Sequence, residues 1–249
     1  TSNPSACYVY RVAQVFANDG SGARGNLGAV VRAILTDYEA RSPAVLGNFG
    51  YGKIKEPLLR ITALVRALNV SAPNGRFLDS FFGLPRPAPE VSFYPSGFFS
   101  GPDGSLGQAP LNAMTVFNFF SPTYSPPGAL AAAGLVSPEL QITDSEYSMR
   151  VPNLVLDIIV PYQPRQIAPP SGPSPYLAPD LSAYLPNALN PEALVAQLNL
   201  VLCANQMSPV TRASILATLN SFTAAVPDLV RVQSAIHLVA ASPDSALQK

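Results

Sequence analysis

Apolar residues recur at three- and four-residue intervals in several separate stretches of this 249-residue chain, which is the spacing of amphipathic helices. Tyr8, Val12, Val15 and Phe16 mark the first. It is predicted to start within residues 1–5, where Ser or Asn supplies the cap and Pro4 lies near the first turn, and to end at Asn18-Asp19-Gly20. Asn26 caps a second helix with Leu27, Val30, Val31, Ile34 and Leu35 on one face and Tyr38 at its end. A short glycine loop joins the two into an antiparallel hairpin. After glycines 47, 50 and 52, Pro57 opens a third helix, with Leu58, Ile61, Leu64, Val65 and Leu68 on its buried side and Arg60 and Arg66 snorkelling outward.

The middle of the chain reads differently. Residues 71–107 are loop-like, with Phe81-Phe82, Phe93-Tyr94 and Phe98-Phe99 set among Pro and Gly; such pairs either line a ligand groove or pin the loop to the helices beneath. Val116, Phe117, Phe119 and Phe120 form an apolar run that calls for burial on nearly all sides. Residues 124–128, Y-S-P-P-G, make a rigid loop because prolines cannot donate and restrict the residue before them. A short alanine-rich helix at 129–135 ends at Gly134 or at Ser137-Pro138. The polar cluster 143–148 suits a helix cap or a cation site, and an apolar helix follows at 151–160. Seven prolines between 161 and 179 read as a linker or surface strap. Beyond them, helices are expected at 191–204, with Leu194, Leu198 and Val201 on one face, at 208–225 and at 229–241. The fold class expected is all-α, with antiparallel helix hairpins and a bundle, long Pro/Gly-rich loops and no substantial sheet. Its expected parts are a helical core over 1–160, a strap over 161–180 and a three-helix packet over 181–249.

Composition narrows the function classes. With 48% hydrophobic residues the chain can build a real core. Net charge is zero and only 12% of residues are charged, so no basic stripe exists to neutralise phosphates, which argues against nucleic-acid binding. So low a charge also suggests that part of the surface is covered by something else. No apolar run approaches the ~20 residues that span a bilayer, so no transmembrane segment is expected. The chain opens on Thr1 without a methionine or signal peptide, and the expectation is that the amino terminus of the gene product precedes it. Cys7 and Cys203 either pair in an oxidising compartment or are two small buried hydrophobes.

Candidate chemistry is sparse. The one histidine, His237, sits in an apolar run, where a core or surface-edge role outweighs a catalytic one, and there is no Gly-x-Ser-x-Gly elbow. One His and two distant Cys do not make an ordinary zinc site, and no cofactor is implied. The glycine loop 19–25 lacks the carboxylates of a calcium loop and the Lys-Ser/Thr ending of a phosphate loop, so it reads as a turn. Lys53, Lys55 and Glu56 read as a solvated charged cap in preference to an anion site. Of the carboxylate pairs, Asp37 with Glu39 and Asp144 with Glu146, the second could bind calcium or act as acid and base, with helix capping the stronger reading. The weak site candidates are Asp144, Glu146, Asp103 and Tyr94.

TSNPSACYVYRVAQVFANDGSGARGNLGAVVRAILTDYEAR at 1–41, GKIKEPLLRITALVRALN at 52–69, LGQAPLNAMTVFNFFSPTY at 106–124 and GLVSPELQITDSE at 134–146 together resemble the carboxy-terminal half of the bacterial domain of unknown function 1800 family. The resemblance runs over about residues 1–160 and returns at 236–243, IHLVAASP. It implies an exported, largely helical protein, periplasmic, cell-surface or extracellular, and it implies no reaction and no catalytic residues. The leading functional expectation is an exported scaffold or binding module that associates with the amino-terminal half of its own parent or with another exported chain. Two rivals stand beside it: an exported hydrolase whose active site forms between the two halves, near loop 93–107 and Asp144–Glu146, and a self-assembling homo-oligomer.

Overall fold

The computed structural model describes residues 1–48, 50–71, 107–108, 113–143, 145–160 and 178–248. Among them lie ten α-helices: α1 (Ala6–Ala17), α2 (Leu27–Thr36), α3 (Tyr38–Arg41), α4 (Pro57–Ala67), α5 (Ala129–Ala132), α6 (Ser145–Ile159), α7 (Pro191–Cys203), α8 (Pro209–Asn220), α9 (Asp228–Ala241) and α10 (Pro243–Ala246). The only strands among the described residues are β1 (Lys53–Ile54) and β2 (Leu247–Gln248), which pair as a two-residue ribbon. The protein is predominantly all-α. The aromatic loop 72–106 and the proline-rich stretch 161–177 lie outside the described residues.

Caps place the helices where the sequence directs them. Ser5, Asn26, Asn190 and Ser208 each accept a backbone N–H of the first turn, from Tyr8, Ala29, Ala193 and Thr211, and Pro57, Pro191 and Pro209 stand at the first helical position, where a missing N–H costs nothing. The helix expected at 151–160 starts earlier, at Ser145, and carries Pro152 inside it. Burial of Val151, Leu154, Val155, Ile158 and Ile159 outweighs the backbone bond that the proline removes.

The chain divides into two units that interleave in sequence. One comprises Thr1–Lys53, Thr123–Pro138 and Gln248–Lys249; the other comprises Ile54–Pro122 and Glu139–Leu247. In the second unit α4, α6, α7, α8 and α9 share one core, with Leu64, Leu68, Ile158, Ile159, Val195, Leu198, Val232, Ile236 and Val239 among its members. In α7 the buried row is Leu194, Val195, Leu198 and Leu202, whereas Val201, expected on that face, is exposed. Leu202 takes its place because it completes the i, i+1, i+4, i+8 row from Leu194.

Three further expectations are corrected. Val116 is 96% and Phe117 65% exposed. The bridge between Thr115 and Asn118 folds four residues into a turn, with Asn118 at φ +90°, and sets the two apolar residues at its tip. Arg60 does not snorkel outward. Its guanidinium donates to the Ala240 carbonyl in the last turn of α9, 3.0 Å away, and burial lowers its pKa. Lys55 is not a solvated cap either: its ammonium donates to the carbonyls of Ser245 (2.9 Å) and Leu202 (3.4 Å), and burial lowers its pKa as well. Both cations therefore meet carbonyls at the C-terminal ends of helices, where such groups lack intrahelical donors and the helix dipole favours positive charge.

Candidate interaction surface

In the first unit α1 and α2 form the expected hairpin. Its turn is braced by two side chains. One carboxylate oxygen of Asp19 accepts from the backbone N–H and the hydroxyl of Ser21 and from the Ala23 N–H, and the other accepts from Asn26 Nδ2 at 2.7 Å. Asn18 Oδ1 accepts from the Gly20 and Gly22 N–H groups. The bonds from Ser21 and Asn26 hold the Asp19 pKa well below the usual carboxylate range. Its oxygens are committed to N–H and O–H donors, which makes the loop a turn.

One side of the hairpin is polar and fully paired. Arg11 on α1 donates from Nε and Nη2 to the two oxygens of Asp37, each at 2.7 Å, and lies 3.7 Å from Glu39. Glu39 is buried and accepts from the Ser5 N–H at 2.9 Å and from the Ser5 hydroxyl. Tyr8 donates its hydroxyl proton to the Ile34 carbonyl at 2.8 Å. The Arg11 bond lowers the Asp37 pKa, and the Ser5 bonds lower that of Glu39. This carboxylate pair is thus a structural clasp, both members held as acceptors.

The other side is apolar and open. Val9, Tyr10 and Phe16 of α1 and Leu27, Val31, Ile34 and Leu35 of α2 are all exposed, Leu27 by 67% and Leu35 by 61%, while the Tyr38 ring of α3 lies under the Arg11 guanidinium, 4.7 Å away. Neither α1 nor α2 contains a buried residue. Arg11 and Arg32 are the only charged residues in the two helices, and Arg11 is held by Asp37. A smaller apolar tip belongs to the second unit, where Met114, Val116 and Phe117 project from the 115–118 turn. Asn118 Nδ2 anchors that turn to Glu56 at 3.3 Å. The same carboxylate oxygen accepts from Gln108 Nε2 at 2.6 Å, while Gln108 Oε1 takes the Leu58 N–H at the start of α4. Gly107, beside it, has φ +65° and lies so close to the Tyr147 ring that a Cβ would meet it at 3.2 Å.

Of the weak site candidates, Tyr94, Asp103 and Asp144 lie outside the described residues; Glu146 falls in the first turn of α6, and its side chain lies outside them too. His237 Nε2 lies 3.1 Å from the Pro152 carbonyl, a link between α9 and α6. Both cysteines are free thiols, Cys7 exposed and Cys203 buried. Among the described residues no group of three or more His, Cys, Asp or Glu side chains is placed to hold a metal ion, and no helix is long and apolar enough to cross a membrane. The exposed residues that the periodicity reading passed over are Val9 and Tyr10. A signal for Val9 was present, since Ala6, Val9, Ala13, Phe16 and Ala17 form a second apolar row on α1; Tyr10 lies outside that row.

These features define a class: a predominantly α-helical protein with one well-buried helical core and a separate helical hairpin whose apolar face is open. The chain belongs to the family described as protein of unknown function (DUF1800), whose model matches residues 1–247. No curated protein and no solved structure matches it.

Proposed function

We propose that this chain is a helical binding module whose α1–α2 face docks on another polypeptide, first of all the amino-terminal half of its own parent protein. The observation that supports this reading is the set of seven exposed apolar residues on α1 and α2, standing open on a unit whose buried residues, among those described, are Glu39, Ser137 and Pro138. Such a face is larger than the scattered apolar residues of an ordinary surface and is nearly free of charge, as a surface meant for burial is. The polar side of the hairpin is already satisfied by the Arg11, Asp37, Glu39 and Ser5 clasp, so association draws on the apolar side. Export is part of the same proposal and rests on the family resemblance.

The test is native mass spectrometry of the chain coexpressed with the preceding segment of its gene, for the wild type and for Val31→Asp with Leu35→Asp. The expected result is a complex of the two polypeptides that the double variant loses while its circular dichroism is unchanged. A wild-type chain that stays a lone monomer overturns the proposal. A complex made only of copies of this chain replaces it with self-assembly.

A further inference from the structure

We draw no further inference here: the strongest candidate, the open apolar tip of Met114, Val116 and Phe117 on the 115–118 turn of the second unit, is an unpartnered surface patch, and nothing in the structure shows what covers it.

Discussion

Arg11 and Asp37 meet in a two-pronged ion pair, Nε to Oδ2 and Nη2 to Oδ1, both at 2.7 Å. Because Asp37 follows the last residue of α2 and its Oδ1 also accepts the Glu39 N–H that opens α3, one carboxylate sets the angle between three helices.

Removing that clasp should loosen the hairpin and not the main core. Arg11→Ala is expected to lower the urea midpoint of whatever transition the hairpin contributes. The sign of the pH effect follows from the lowered Asp37 pKa: its contribution is present above the unfolded carboxylate value of about 4 and is lost as pH falls through the lower folded value. Wild-type stability should therefore drop with acidification below about pH 4 more steeply than that of Arg11→Ala. Parallel acid profiles for the two proteins would refute the role given to the pair.

Arg60 offers a test of the helix-end plugs. Arg60→Met keeps the stem and removes the charge, leaving the Ala240 carbonyl to the Ser245 hydroxyl alone, and is expected to cost on the order of 1 kcal/mol in denaturant unfolding. Arg60→Lys should recover part of that loss, since a cation near the end of α9 still meets the dipole. A Met variant as stable as wild type would show that the guanidinium contributes nothing net.

The two thiols should differ in kind. Ellman's reagent is expected to titrate Cys7 in the native protein and Cys203 only on unfolding. Burial pushes the Cys203 thiol up to about 11. The folded state thus holds a proton that the unfolded chain releases near pH ~8.5. That contribution is intact below the unfolded value and is lost as pH rises toward the folded one, so stability should decline between about pH 8.5 and about pH 11. Cys203→Ala should show a shallower decline. Rapid reaction of two thiols without denaturant would contradict the assignment.

The α7 row separates neighbours that the sequence alone treats alike. Leu198→Ala, at a fully buried site, is expected to destabilise by about 2–5 kcal/mol. Val201→Asp, on the exposed side of the same helix, should stay within about 0.5 kcal/mol. Thermal melts of the two variants compare them directly; a larger loss for Val201→Asp would mean that its face is covered in solution.

The helices were legible in the sequence because their ends carry local chemistry. Ser5, Asn26, Pro57 and Pro191 act within one turn, and a single stretch of text contains the whole cause. Which face of a helix is buried has a different origin. Leu27, Val31, Ile34 and Leu35 have the periodicity of a core face and stand exposed, because periodicity records that a row of residues is apolar and not what lies against it. Arg60 and Lys55 were misread for a related reason: their partners, Ala240, Leu202 and Ser245, lie 180, 147 and 190 residues away. Val116 and Phe117 looked like core residues, and a four-residue turn closed by Asn118 was enough to reverse them. The weak site candidates had no geometric support to begin with, since two nearby carboxylates in sequence state nothing about a shared face.

The backbone bond from the Lys55 N–H to the Ala246 carbonyl, 2.7 Å long, carries a consequence for the order of events at the ribosome. Lys55 and Arg60 emerge early, yet every carbonyl they cap belongs to α7, α9 or α10. Until those last helices have been synthesised, Lys55 ahead of α4 and Arg60 within it have no helix ends to meet, and the second unit cannot close around them. The carboxy-terminal helices thus act as the latch of the unit, and folding there is completed after translation of its final turn.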